Sequence, residues 1–183
     1  MGHDNFYNDQ LIIKASKYLS LILRHKPEIV GLELDNHGWA LVKDVLKKCN
    51  YSIDLLNDVI RMNDKKRFEY NADKSKIRAC QGHSIKVDLD LPPSIPPEIL
   101  YHGTATKFID FINKDGIIAK GRDFVHLSID RDTANKVGSR HGKPAILLVE
   151  SGRMYRDGLK FYLSTNGVWL TKEVPPKYFE INW

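Results

Sequence analysis

The chain is poor in the residues that staple or anchor a protein. It has two cysteines, Cys49 and Cys80, and they form no C-x-x-C pair. Neither a disulfide framework nor a cysteine zinc site is indicated, so a cytoplasmic, metal-free protein is expected. No run of about eighteen apolar residues occurs, and no transmembrane helix is expected. The N-terminus lacks a basic region followed by an apolar stretch, so no signal peptide is expected either. There is no G-x-G-x-x-G after a strand pattern and no G-x-x-x-x-G-K-[ST]. Neither a Rossmann fingerprint nor a P-loop is available to hold a nucleotide. Internal repeats and low-complexity segments are absent.

What is present is ordinary for a globular chain: 183 residues, 42% hydrophobic and 28% charged. That length suits one or two domains with a real core. The net charge of +5 favours an acidic partner. Its distribution says more. From Arg61 to Lys86 there are eight Lys/Arg against three acids, Asp64, Glu69 and Asp73. A solvated face explains such a segment as well as a phosphate-rich ligand does.

Four of the eight prolines fall in "DLDLPPSIPP", residues 88–97. Proline does not suit element interiors, so this stretch is expected to be an extended linker between a lobe over 1–87 and a lobe over 98–183. In the first, Leu11, Ala15, Tyr18, Leu19, Ile22 and Leu23 recur at helical spacing, which predicts a helix over 10–24. A turn at Asn36-His37-Gly38, a short helix "VKDVLKKC" and a third helix N-capped by Ser52 follow. The third helix has an expected apolar side of Ile53, Leu56, Val59 and Ile60. "KRFEY" and "KIRAC" flank "NADKS" as a hairpin, Phe68 and Tyr70 alternating with polar residues. Helices followed by a basic hairpin outline a winged helix, by analogy only. The second lobe is strand-rich: "EILYHGT", "FVHLSI", "PAILLVES", "FYLSTNGVWLT" and "KYFEINW" read as strands. Two helices are expected between them. "TKFIDFINKDG" has Phe108, Phe111 and Ile112 on one face, and "DRDTANKVG" has Gly138 as its stop just past the end. The fold class is α+β.

Several short motifs carry chemistry. "LRHKP" ends the first helix on Arg24-His25-Lys26-Pro27, where cations near a helix C-terminus are ordinary decoration. "YHGT" places His102, Gly103 and Thr104 at a strand end, and glycine lets a ligand approach the backbone. "VHLS" places His126 and Ser128 two apart on one face. "VGSRHG" puts Arg140 and His141 between glycines. Each alone reads equally well as a satisfied core histidine or a solvated turn.

Taken in order, LRHKP, KKRF, QGHS, the proline stretch, LYHGT, VHLS, VGSRHG and NGVWLT resemble the RNA 2′-phosphotransferase family, from about Ser16 to Phe179. That resemblance implies removal of an internal RNA 2′-phosphate, as at a tRNA splice junction. NAD⁺ is consumed as phosphate acceptor. The phosphate displaces nicotinamide, and a ribose hydroxyl then attacks phosphorus. The products are 2′-OH RNA, nicotinamide and ADP-ribose 1″,2″-cyclic phosphate. It further implies an N-terminal winged-helix RNA-binding lobe, a C-terminal ADP-ribosyltransferase-like NAD⁺ lobe, and an active site in the cleft between them. Matched residue by residue, the catalytic set is Arg24, His25, Arg67 and Arg140, with Lys65 an accessory phosphate cation. The NAD⁺ side maps onto His102, Gly103, Thr104, His126 and Ser128. Trp169-Leu170 leaves no glutamate of the kind protein-modifying ADP-ribosyltransferases use, which fits an acceptor that is already an anion. No metal, membrane or protein partner is expected, and monomer is the default. The competing readings are an ADP-ribosyltransferase acting on nucleic-acid phosphate ends and a winged-helix binder without catalysis.

Overall fold

The computed structural model describes residues 3–63 and 65–182. Asp64, one of the three acids counted above, lies outside the described residues. The chain forms two compact units, Met1–Asp90 and Leu91–Trp183.

The first unit begins with α1 (His3–Arg24), two turns longer than the expected helix. Its buried stripe is Ile12, Ala15, Leu19, Ile22 and Leu23. Leu11, expected inside, is half exposed because Ile12 takes the inward position. Then come β1 (Ala40–Leu41), α2 (Val42–Cys49) and α3 (Ile53–Arg61). Ser52 caps α3, its hydroxyl accepting from the Leu55 N–H at 3.1 Å, which satisfies one orphan donor of the first turn. Leu56 and Val59 are the buried side of α3, whereas Ile53, expected to join them, faces solvent. β2 (Phe68–Tyr70) and β3 (Lys76–Ala79) form the antiparallel hairpin, Phe68 opposite Ala79, and β1 pairs on the far side of β3. The three-stranded order is β1-β3-β2. The core of this unit joins the α1 stripe to Val45, Leu56, Val59, Phe68 and Ile77. Residues 88–90 are tied to it: the Asp88 N–H donates to Asn36 O at 2.9 Å and Leu89 is buried.

The second unit contains β4 (Leu100–Ala105), α4 (Ile109–Asp115), β5 (Ile117–Ile118), β6 (Val125–Leu127), α5 (Arg131–Gly138) and β7 (Pro144–Val149). It continues with α6 (Ser151–Arg156), β8 (Phe161–Leu163), β9 (Trp169–Thr171), β10 (Glu173–Val174) and β11 (Phe179–Asn182). The strands pair antiparallel as β11-β7-β4, β6-β9-β8 and β10-β5. β7 is nearly all buried, as its apolar run predicts. "FYLSTNGVWLT" is not one strand but the β8–β9 hairpin, Leu163 opposite Trp169. Its turn carries Asn166-Gly167 with Gly167 at φ 79°, a positive angle that glycine adopts without steric cost. In α4 the buried residues are Ile109 and Ile112, and Phe111, expected on that face, is exposed.

Gly138 is not the residue past the end of α5 but its last helical residue, at φ −59°. Close approach, not capping, explains the glycine. A Cβ there would lie 2.5 Å from the Thr104 carbonyl oxygen. Gly103 is its counterpart on β4, where a Cβ would overlap the Ala134 carbonyl. The space that a Cβ at Gly103 would take is therefore filled by α5.

Candidate active site

In the first unit the end of α1, the start of β2 and the segment after β3 meet. Arg24 closes α1, and its Nη2 donates to the Arg67 carbonyl at 3.4 Å. Its guanidinium also lies 5.9 Å from the Phe68 ring centroid. The segment 82–84 packs against this pair. The Ser84 N–H donates to the Arg24 carbonyl at 2.9 Å, and Ser84 Oγ lies 2.9 Å from His25 Nδ1. Gly82, at φ 89°, brings its backbone close to the Arg24 guanidinium: a Cβ there would sit 3.6 Å from Nη1. Ser84 thus engages one ring nitrogen of His25, which orients the imidazole.

His83, next to Ser84, is buried. Burial first, and then electrostatic interaction with Arg24, His25 and Arg78, pull its pKa down to about 4. It is neutral at physiological pH and adds no charge to the cluster.

Asn63 holds the other side. It is buried, and its Oδ1 accepts from Arg67 Nη1 at 3.0 Å and from the Lys65 N–H at 3.2 Å. Its Nδ2 donates to Ser16 Oγ on α1 at 3.3 Å. One amide therefore ties Arg67, the Lys65 backbone and α1 together. A cleft of about 510 Å³ opens here, with Arg24, Lys65 and Arg67 in its lining.

The Arg61–Lys86 segment is less of a cationic patch than counting suggests. Arg61 pairs with Asp58 at 2.6 Å, Lys76 with Asp35 at 3.0 Å and Arg78 with Glu69 at 2.7 Å. Arg78 also stacks 4.4 Å from the Trp39 ring and donates to the His37 and Leu89 carbonyls, so it holds the unit together.

In the second unit β4 and β6 are joined by the Tyr101–Ser128 bridge, two backbone hydrogen bonds of 2.8 and 2.7 Å. His102 Nδ1 lies 3.0 Å from the His126 carbonyl. A carbonyl only accepts, so this nitrogen carries the proton and Nε2 is the acceptor in the neutral ring. Burial lowers the His102 pKa, the bond to His126 opposing it, and the neutral form is favoured. His126 has the opposite arrangement. Arg122 Nη1 donates to its Nδ1 at 2.8 Å, so the neutral ring carries its proton on Nε2. The two histidines differ in tautomer, Nε2 of one accepting and Nε2 of the other donating. Thr104 is buried within β4. Arg140 is exposed on the 3-10 turn Ser139–His141 that follows α5. Trp169 and Leu170 are both buried.

The family model described as "RNA 2′-phosphotransferase, Tpt1 / KptA family" matches residues 10–173. The chain belongs to the RNA 2′-phosphotransferase family. A relative from Flavobacterium johnsoniae, named "Probable RNA 2′-phosphotransferase", is 56% identical over 94% of this chain and 98% of its own. Relatives of the same name from Agrobacterium fabrum and Acaryochloris marina are 51% and 48% identical. They cover 92% and 93% of this chain, and 93% and 97% of their own. The family match spans every candidate residue of both units. Three further residues contact the candidate side chains. Ser84 was visible in QGHS but had no role attached. Asn63 follows α3 without any motif. Arg122 lies in a loop four residues before His126. Among the described residues no group of three or more His, Cys, Asp or Glu could hold a metal, and no helix is long and apolar enough to cross a membrane.

Proposed function

We propose that this protein removes an internal 2′-phosphate from RNA by transferring it to NAD⁺, as an RNA 2′-phosphotransferase. The observation that carries the reading is the convergence of Arg24, His25 and Arg67, from two separate motifs, on one set of contacts with Ser84 and Asn63. A phosphomonoester carries nearly two negative charges and three acceptor oxygens. Arginine offers paired planar donors and keeps its charge in any site. Each charge-assisted hydrogen bond contributes roughly 1.5–3 kcal/mol. A helix C-terminus repels anions by its dipole, so the side chains of Arg24 and Arg67 bear the binding. Lys65 is an accessory cation, and Arg140 is assigned to the same reaction on its GxRHG motif.

On this reading the first unit is the winged-helix RNA lobe, consistent with its order α1-β1-α2-α3-β2-β3, and the second is the ADP-ribosyltransferase-like lobe. NAD⁺ supplies the electrophilic ribose carbon and nicotinamide as leaving group. The opposite tautomers of His102 and His126 suit a ribose diol, one ring accepting a hydroxyl hydrogen and the other donating to a hydroxyl oxygen. Gly103 contributes through the packing of β4 on α5, Thr104 lies on β4 two residues from His102, and Ser128 directly follows β6. His25 is the member of the arginine cluster able to transfer a proton near neutral pH. The RNA-2′-phospho-ADP-ribose formed in the first step is resolved when the adjacent hydroxyl attacks phosphorus, giving ADP-ribose 1″,2″-cyclic phosphate and a free 2′-OH.

The test is incubation with 2′-phosphorylated RNA and NAD⁺. Formation of 2′-OH RNA, nicotinamide and the cyclic phosphate is the expected result. RNA that stays joined to ADP-ribose would make the protein an ADP-ribosyltransferase of nucleic-acid phosphates. Binding without consumption of NAD⁺ would reduce it to a nucleic-acid-binding module.

A further inference from the structure

The cleft in the first unit extends well beyond the arginines. Along α1 its wall is Ile12, Ser16, Ser20 and Arg24, one residue per helical turn, with Ile13 and Lys17 beside them. At a rise of 1.5 Å per residue, Ile12 and Arg24 are about 18 Å apart along the axis. The opposite wall carries Met62 and Asn63. Along α1 the cleft is therefore graded: Arg24 at one end, Ser16, Ser20 and Lys17 in the middle and Ile12 and Ile13 at the other end. In this lining Ile13 is 55% and Met62 48% exposed, large apolar side chains left in solvent. The whole is an open cleft of about 510 Å³, a volume in the range of small-ligand sites.

We propose that this cleft binds the ribonucleotide flanking the 2′-phosphorylated residue. The inference rests on the phosphotransferase reading and names the part of the substrate that reading leaves unassigned. Lys17, at the midpoint of the α1 wall, contacts the neighbouring phosphodiester. Ser16 and Ser20 offer hydroxyls that can both donate and accept, which suits a ribose 2′-OH, the group that distinguishes RNA from DNA. Ile13 and Met62 cover a base face. They are aliphatic and carry no directional donors or acceptors that could read a base edge, so recognition tolerates any base. Asn63 links the two parts of the cleft, since the same amide bonds Ser16 and Arg67.

The experiment is a titration of the whole protein, without NAD⁺, against three ligands. These are a nucleoside 2′-monophosphate, a fluorescent short RNA with one internal 2′-phosphate, and the same oligomer with deoxyribose at the flanking positions. The wild type is expected to bind the ribo-oligomer at least tenfold more tightly than either other ligand, equivalent to about 1.4 kcal/mol. The double substitution Ile13→Gln/Met62→Gln leaves net charge unchanged and touches only exposed positions. It should abolish most of that advantage while binding the nucleoside 2′-monophosphate like the wild type. Lys17→Ala should flatten the salt dependence of oligomer binding by about one phosphate contact. Equal affinity of the wild type for all three ligands overturns the inference, as does full retention of the oligomer advantage in the double variant. Conversion with NAD⁺ is scored separately. A wild type that binds with flank dependence but leaves the 2′-phosphate in place overturns the phosphotransferase reading and keeps the cleft. One that converts without flank dependence does the reverse.

Discussion

Replacing Asn63 should separate the stability of the arginine site from its activity. The amide makes three hydrogen bonds, to Arg67 at 3.0 Å, to the Lys65 N–H at 3.2 Å and to Ser16 at 3.3 Å. The first is charge-assisted, roughly 1.5–3 kcal/mol, and the other two are neutral and long, each near the lower end of about 0.5–1.5 kcal/mol. Arg67 is partly exposed, which discounts its share. Asn63→Ala should therefore destabilise the protein by roughly 2–4 kcal/mol. At about 2–4 °C per kcal/mol for a chain of this size, Tm falls by about 4–16 °C. Asn63→Asp is the informative partner. It keeps the acceptor for Arg67 and for the Lys65 N–H, so most of the stability survives. It also places a carboxylate against Arg67 and neutralises the charge that the proposed function directs at the phosphate. Turnover should fall by about 10²-fold or more, toward the loss seen when a phosphoryl-transfer arginine is removed in other enzymes. The assays are thermal melts and a single-turnover time course on 2′-phosphorylated RNA with saturating NAD⁺. A stable, fully active Asn63→Asp would refute the role of Arg67. Equal destabilisation by Ala and Asp would refute the hydrogen-bond assignment.

Ser84→Ala removes the contact with His25 but keeps the backbone bond to Arg24. Turnover should drop about 3- to 10-fold, the equivalent of one neutral hydrogen bond, with Ser84→Thr restoring most of it; unchanged turnover in the alanine variant would show that His25 needs no such support. His83 has a folded-state pKa of about 4 against an ordinary 6.5, so the unfolded chain binds the extra proton between those values. Stability should be highest above pH 6.5 and fall by up to roughly 3 kcal/mol toward pH 4. His83→Gln should remove that slope in pH-dependent melts, and a parallel curve would sink the assignment. Gly138→Ala should destabilise the second unit by about 1–3 kcal/mol or more, because the added methyl meets the Thr104 backbone and not a side chain that can swing away; a wild-type Tm would contradict the α5–β4 packing.

Local features of the first unit were legible in the sequence because short-range chemistry decides them. The Ser52 cap acts on Leu55, three residues away, and the alternation in "KRFEY" needs only the period of a strand. The family motifs proposed Arg24, His25, Arg67, His102 and Arg140 as candidates without any coordinates. Tertiary structure decided the rest. Leu11 and Ile12 fit an apolar stripe equally well, and only packing turned Ile12 inward. Gly138 matched a helix stop by position, yet its reason lies on a strand 34 residues earlier, at Thr104. Counting charges from Arg61 to Lys86 could not show that Asp35, Asp58 and Glu69 would take three of the cations. Asn63 has no motif at all; its importance arises because α1, 47 residues away at Ser16, folds back onto it. Spacing along a chain specifies which groups share a face. Which group meets a partner far off in sequence depends on how whole elements pack, and that information is spread over the entire core rather than written at the residue itself.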